Sequence, residues 1–328
     1  MTGGWTIVGQ GLAGTCLAWE FWQRGVGFSL IDRENGGSTR VAAGLVNPIT
    51  GKNFEPSWRI GEFLPEALGF YAKVEQALGV KLWYPLPVLR LVGSEKEWTK
   101  ISSKLGDEAV KPWGGNVVPA PEGWVAAVEV TGGGRMDTRT FADASRAFFE
   151  KEGLYRKETD GEGKRIWCEG SVGLIAGKYG LHRSAKGEIL TIRAEGWDET
   201  QVKVGGGGWL LPLGNGMFRA GANYEWNELD ELPTEKGRTF VENILRKLGG
   251  DDFEVVEHLA GIRPILRKSQ PLIGQLENGD WMFNGLGSKG SLYAPGVARR
   301  LAESMLHDAP LDEELDWRIF SQSFHPES

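Results

Sequence analysis

At 328 residues the chain exceeds one average domain, and its 41% hydrophobic and 25% charged residues exclude both a disordered and a membrane-embedded class. A net charge of −7, from 37 basic and 44 acidic residues with the basic ones scattered, argues against a nucleic-acid partner. The absence of any run of about 18 apolar residues or of a signal-like leader argues against a membrane, so a cytoplasmic location is expected. Cys16 and Cys168 stand too far apart to suggest a disulfide framework and read as packing residues. His182, His258, His307 and His325 show no ligand spacing, so no metal is expected.

The first element is the most informative. Trp5-Thr6-Ile7-Val8 reads as a buried parallel strand and runs directly into Gly9-Gln10-Gly11-Leu12-Ala13-Gly14. Three glycines here answer three steric demands: Gly9 permits a tight turn, Gly11 lets backbone approach a pyrophosphate, and Gly14 lets a helix over 12–24 pack closely on the sheet. Gly25 stops that helix, and 26–31 reads as a second strand. It ends at Asp32, where a carboxylate can accept hydrogen bonds from a ribose, about 20 residues beyond the glycines. Strand, glycines, helix, strand and acid in this order predict a dinucleotide site.

A loop rich in Gly, Ser and Thr follows and leads to Arg40-Val41-Ala42-Ala43-Gly44-Leu45-Val46-Asn47-Pro48. Its small residues permit either close approach of a flat ligand or a tightly packed turn. Helical spacing predicts a helix over 63–78, then a strand over 83–92, a short exposed helix over 95–105 and hairpin-like strands over 117–130. A clear amphipathic helix over 138–151 follows Asp137-Thr138, both plausible N-caps. Residues 186–192 read as a strand, and 209–213 with 217–221 as a hairpin turning at Gly214-Asn215-Gly216. The glycine run 205–208 reads as a mobile loop, because no helix pattern follows it. A helix is expected near 234–248. No second strand-GxGxxG-helix unit occurs, which disfavours an enzyme with separate flavin and nicotinamide domains.

The C-terminal region carries the family signal. Gly261-Ile262-Arg263-Pro264, Pro271-Leu272-Ile273-Gly274 and Asn284-Gly285-Leu286-Gly287-Ser288-Lys289-Gly290-Ser291-Leu292-Tyr293-Ala294-Pro295 are followed by a helix. Together with the N-terminal glycines and the 40–48 loop, these segments resemble the D-amino-acid oxidase and glycine oxidase superfamily of FAD-dependent oxidoreductases. They resemble also the FAD domain of the bacterial bifunctional tRNA 5-methylaminomethyl-uridine biosynthesis enzyme. The resemblance implies an α/β fold: a Rossmann-like FAD-binding domain from 1–49, 133–186 and 257–328, with an interleaved β-rich (α+β) substrate domain from 50–132 and 187–256.

The same resemblance assigns roles. Gly9, Gly11 and Gly14, with Leu12 and Ala13, seat the pyrophosphate at a helix start. Asp32 takes the adenosine ribose, with Arg33 at the adenine edge. Thr39, Arg40, Ala42, Ala43, Gly44 and Leu45 meet the flavin and its ribityl chain, Gly170 and Gly261 line the cofactor, and Gly287, Ser288, Lys289, Gly290, Ser291 and Leu292 meet the pyrimidine end of the isoalloxazine. Arg263 grips a substrate carboxylate, with Ser288 and Lys289 as further candidates for the catalytic end. From its own loop, apart from the resemblance, Lys52 reads either as a solvated lysine or as an additional cation near the flavin. Ser288 stands where glycine oxidase has an arginine, and Trp209 where a tyrosine is common, which leaves the substrate open. No histidine precedes His182 and neither cysteine matches an attachment position, so noncovalent FAD is expected. The implied activity is oxidation of a C–N bond in a small amine carrying a carboxylate, by hydride transfer to flavin N5, with dioxygen or another electron acceptor. Removal of a carboxymethyl group from a modified tRNA base and noncatalytic flavin binding are the alternatives. The oligomeric state is left open.

Overall fold

The computed structural model describes residues 4–33, 37–51, 53–157, 163–180, 182–266 and 270–322. The opening motif builds the centre of a six-stranded sheet in the order Tyr155–Arg156, Phe28–Ile31, Trp5–Val8, Arg165–Trp167, Trp281–Asn284, Leu272–Gln275. The first five strands run parallel, and Leu272–Gln275 closes the edge antiparallel. Helix Leu12–Gln23 packs on this sheet so closely that a Cβ on Gly14 would lie 1.9 Å from the Gly9 carbonyl oxygen. The helix ends as expected. Gly25 adopts φ 67°, its N–H donates to the Trp22 carbonyl and that of Val26 donates to the Phe21 carbonyl. Val26 is therefore committed to the helix end, and the strand starts at Phe28 rather than 26.

Behind the sheet lies an aromatic core. Trp19 is fully buried, stacks on Phe148 at 4.8 Å and satisfies its indole N–H on the Ser145 hydroxyl at 2.9 Å. Phe148 and Ser145 belong to helix Thr138–Lys151, whose bounds match the sequence pattern and whose cap is Asp137, accepting from the Thr140 amide. Helices Ile60–Leu78 and Gly290–His307 complete the layer, joined where the Tyr71 hydroxyl donates to the Ser291 carbonyl. Cys16 and Cys168 are both buried with unoxidised thiols.

A second sheet has eight strands in the order Glu254–Arg263, Ala185–Arg193, Met217–Gly221, Gly208–Gly214, Val202–Gly205, Val88–Val92, Ala126–Val130, Gly114–Val118. Period-2 alternation gives it two buried faces. Leu190, Ile192, Leu210 and Phe218 pack under helix Glu235–Leu248, whereas Ile189 and Leu211 turn to the side that holds Ala43 and Ile49. The strands Glu254–Arg263 and Ala185–Arg193 pair from Ala185 to Arg193 with one register shift between Thr191 and Ile192, and the expected boundaries at 186/187 and 257 both fall inside this pairing.

Two expectations fail on turn chemistry. The strand expected over 83–92 is two strands in different sheets: Trp83–Pro85 pairs with Gly134–Met136, and Val88–Val92 enters the eight-stranded sheet. Pro85 and Pro87 lack the N–H that would continue one ladder. Glycines 205–208 are a tight hairpin rather than a mobile loop, since Gly206 and Gly207 take φ 59° and 93° between the antiparallel strands Val202–Gly205 and Gly208–Gly214. Two successive positive φ values suit a two-residue hairpin turn. The exposed helix is also shorter than expected, covering Glu95–Ser102 with Ser94 as its cap.

Because the Gly14 contact is with backbone, nothing nearby can yield cheaply. Gly14→Val is expected to destabilise the protein by about 1–3 kcal/mol, measured by urea denaturation. A denaturation midpoint equal to that of the unsubstituted protein would disprove the close packing.

Candidate active site

The two sheets and the loops between them enclose a cavity of about 1360 Å³. Gly9, Gly11, Leu12, Ala13, Asp32, Arg33, Thr39, Arg40, Ala42, Ala43, Gly44, Leu45, Gly170, Gly261, Arg263 and all six residues from Gly287 to Leu292 line it, as does Trp209. Gly14 alone among the sequence-predicted site residues does not, because it sits in the helix–strand contact. Lys52 lies outside the described residues.

At one end, helix Leu12–Gln23 starts without a side-chain cap. The Leu12 amide donates to the Thr39 hydroxyl at 3.0 Å, and a Cβ on Gly11 would meet only that hydroxyl, at 3.3 Å. An uncapped helix start with open space before it favours anionic oxygen through its amides and its dipole. Asp32 is held from two sides. Its Oδ1 accepts from the Gln10 amide at 3.2 Å, and its Oδ2 accepts from Arg146 Nη2 at 2.7 Å. Arg146 Nε also donates to the Gln10 side chain at 2.7 Å. The carboxylate keeps lone pairs for a ribose, since each oxygen accepts more than once. Arg146 and Gln10 were not singled out from the sequence; the available signal was a cation at position 146, on the helix face that carries Ala142, Ser145 and Phe149 inward.

The 40–46 loop is anchored from outside the cavity. Arg40 pairs with Asp143, and the Ala42 carbonyl accepts from the Thr138 hydroxyl at 2.9 Å and from Arg219 Nη1 at 3.0 Å. Gly44 takes φ 68°, and a Cβ there would lie 1.8 Å from the Met136 carbonyl oxygen, so only glycine lets the loop lie on strand Gly134–Met136.

At the other end, the Gly287 amide donates to the Pro264 carbonyl at 2.9 Å, and helix Gly290–His307 also begins without a side-chain cap. Lys289 sends its ammonium to the hydroxyls of Thr50 and Ser57, at 2.9 and 3.1 Å. Neither is an anion, and burial holds its pKa below the ordinary lysine value. Arg263, at the end of strand Glu254–Arg263, lies over the Tyr224 ring at 4.1 Å and donates only from Nη1, to the carbonyls of Lys186 and Asn223. Among the described residues no carboxylate pairs with it, and burial is the main cause that lowers its pKa from the usual arginine value. Gly187 makes room on the other face, where a Cβ would lie 2.1 Å from Nη2.

Tyr224 was not foreseen. It is carried by a segment fixed to the buried Glu188 carboxylate, which accepts from Asn223 at 3.2 Å and from the Thr234 hydroxyl and amide at 2.7 Å each, and lies 2.9 Å from His258 Nε2. The Tyr224 hydroxyl reaches Ser288 Oγ at 3.2 Å and so joins this segment to the C-terminal loop.

Residues 5–304 match the family described as FAD dependent oxidoreductase. The chain belongs to that family. Its fold is shared with iminodiacetate oxidase from Chelativorans sp. BNC1 (TM-score 0.76, 20% identity, covering 94% of this chain and 98% of that one). It is shared also with glycine oxidase from Bacillus cereus ATCC 14579 (0.78, 15%, 94% and 96%) and with L-proline dehydrogenase from P. horikoshii (0.76, 16%, 98% and 98%). FAD is therefore the cofactor of this oxidoreductase, and the residues present fit it: two uncapped helix starts, an unobstructed Gly11 and a supported acid line one large cavity. Among the described residues no helix is long and apolar enough to cross a membrane, and no cluster of His, Cys, Asp and Glu could hold a metal.

Two outcomes follow from these contacts. Gly11→Val places a branched side chain in the open space before the helix start, so FAD content after purification is expected to collapse while far-ultraviolet circular dichroism stays unchanged. Full FAD content in that variant would remove the assignment of this turn. For Lys289, the lowered pKa means that the unfolded chain binds more protons between the folded value and 10.5, and stability rises with pH across that window. Lys289→Met is expected to flatten the rise, read from urea denaturation of flavin-free protein at neutral to alkaline pH; an identical slope would count against a depressed ammonium.

Proposed function

We propose that this FAD-dependent oxidoreductase oxidises a C–N bond in a small amine or amino acid that carries a carboxylate. The observation that carries the reading is Arg263: a guanidinium lining the cavity beside the C-terminal loop, sandwiched between Tyr224 and Gly187, with no carboxylate partner among the described residues. Its remaining N–H groups match a carboxylate bidentately, and charge-assisted hydrogen bonds of this kind are worth about 1.5–3 kcal/mol each. The names of the fold neighbours, iminodiacetate oxidase, glycine oxidase and L-proline dehydrogenase, point to the same substrate class by analogy.

In this reading Gly9 to Ala13, Asp32 and the 39–45 loop hold FAD, the six-stranded sheet carries the cofactor and the eight-stranded sheet carries the substrate side. Bound FAD supplies the acceptor for the hydride that leaves the carbon next to nitrogen. The protein's part is orientation. Arg263 fixes the carboxylate, Tyr224 and Gly187 restrict the guanidinium to one plane, and the Tyr224–Ser288 contact closes the side of the site next to the C-terminal loop. Holding donor and acceptor in a reactive geometry supplies a large part of the rate. Lys289 and the start of helix Gly290–His307 put positive potential at the same end of the cavity. FAD is held noncovalently in this reading, because no histidine precedes His182 and neither Cys16 nor Cys168 stands at an attachment position of the resembled family. Dioxygen or another acceptor removes the electrons, and the enzyme works in the cytoplasm.

The test is anaerobic mixing of FAD-loaded protein with glycine, sarcosine, iminodiacetate and proline while the visible flavin absorbance is followed. At least one is expected to bleach it. Arg263→Lys keeps the charge and loses the planar fork, so the substrate concentration for half-maximal bleaching is expected to rise about tenfold, and more in Arg263→Ala, with FAD content unchanged. Equal bleaching by Arg263→Ala would remove the carboxylate assignment.

A further inference from the structure

A second cavity, of about 290 Å³, shares the Ala42–Ala43 wall with the active site and is lined by Arg135, Arg139 and Arg219. Arg135 is only 7% exposed. Its guanidinium lies over the Tyr84 ring at 4.1 Å and its Nη1 donates to Asp137 at 3.2 Å, but its buried Nε has no partner. Arg219 holds the Ala42 carbonyl with Nη1, its buried Nε is also without a partner, and its closest acid is Glu257, 3.9 Å from Nη2. Arg139 shares that same Glu257, at 3.2 Å. Asp137 is further engaged as the cap of helix Thr138–Lys151.

Three guanidinium groups thus converge against two carboxylates that both have other duties, which leaves one positive charge in excess. Burial, followed by the charge of Arg139, holds the Arg219 pKa below the usual arginine value despite Glu257 and Asp137. A water takes about 30 Å³, so the cavity has room for an oxyanion and several waters. We propose that this cavity is a binding site for one small oxyanion, a carboxylate or phosphate group, held by Arg135, Arg139 and Arg219, and that its occupancy is felt at the flavin through Ala42. The site stands on its own geometry; the coupling rests on the reading of the 39–45 loop as flavin-binding. The link is physical, because Arg219 and Thr138 grip the one carbonyl at the wall common to both cavities.

Calorimetric titration of FAD-loaded protein with inorganic phosphate, against chloride at equal ionic strength, tests the site without requiring turnover. One saturable phosphate site is expected, retained in Arg263→Gln and weakened at least tenfold in Arg139→Gln and Arg219→Gln. Arg139 is surface-exposed, so its variant remains informative if Arg219→Gln fails to fold. Repeating the titration with acetate distinguishes a carboxylate ligand from a phosphate ligand by which binds more tightly. No saturable heat with either anion, or binding lost in Arg263→Gln and kept in Arg139→Gln, would overturn the site. For the coupling, saturating anion is expected to shift the visible flavin spectrum in the unsubstituted protein and not in Arg139→Gln; an unshifted spectrum with the site filled would overturn that part alone.

Discussion

Two helices that are far apart in the chain begin against each other. Gly290 opens helix Gly290–His307 at a point where a Cβ would lie 2.7 Å from Leu12 Cδ1, and Leu12 is the first residue of helix Leu12–Gln23. Neither helix is capped by the side chain of its own N-cap residue, and apart from the Leu12 amide, which Thr39 takes, the leading amides and the positive ends of both dipoles meet at one cavity. This arrangement is unstable in a packed interior unless something negative or polar faces it. The remaining features of the molecule answer that constraint: glycines at 9, 11 and 14 keep the strand, turn and helix close while leaving the space in front open, and Asp32 is braced by Arg146 rather than left to swing.

The substrate side follows from a different geometric fact. The eight-stranded sheet lays Glu254–Arg263 along Ala185–Arg193, so Arg263 pairs in register with Ala185 and its side chain crosses above Gly187. A guanidinium in this position is costly to bury alone. Tyr224 offsets part of that cost by offering its ring face, and two backbone carbonyls take Nη1, which leaves the rest of the fork for a ligand. The arginine cavity behind the 40–46 loop repeats the theme, since Arg135 also rests on an aromatic ring, with Asp137 accepting from its Nη1 and its Nε unpaired.

Much of this was legible along the chain. The run from Trp5 to Asp32 specified strand, turn, helix and strand because each step depends on local sterics and on near-neighbour hydrogen bonds; Gly25 ends the helix with no help from the rest of the fold. The hairpin at Gly214-Asn215-Gly216 and the helix Thr138–Lys151 were legible for the same reason. The expected strand over 83–92 failed because sheet membership is decided by which partner lies across from each residue, and two prolines moved the chain from one sheet to another. Glycines 205–208 were misread because a hairpin turn and a loose loop use the same residue; the difference lies in the strands on either side.

By itself, then, the sequence determined the strand–glycine turn–helix unit and the residues that line the large cavity, Arg263 among them, because the turn rests on backbone conformations that only certain residues adopt and the lining residues stand in recognisable motifs. Tertiary structure alone decided that Arg146 supports Asp32, that Tyr224 covers Arg263, that Lys289 turns to Thr50 and Ser57, and that Arg219 joins Arg135 and Arg139 at one cavity. Each of these contacts joins positions that only sheet register and helix packing bring within hydrogen-bonding distance, and hydrophobic periodicity along a chain carries no information about which polar side chains will meet across a fold.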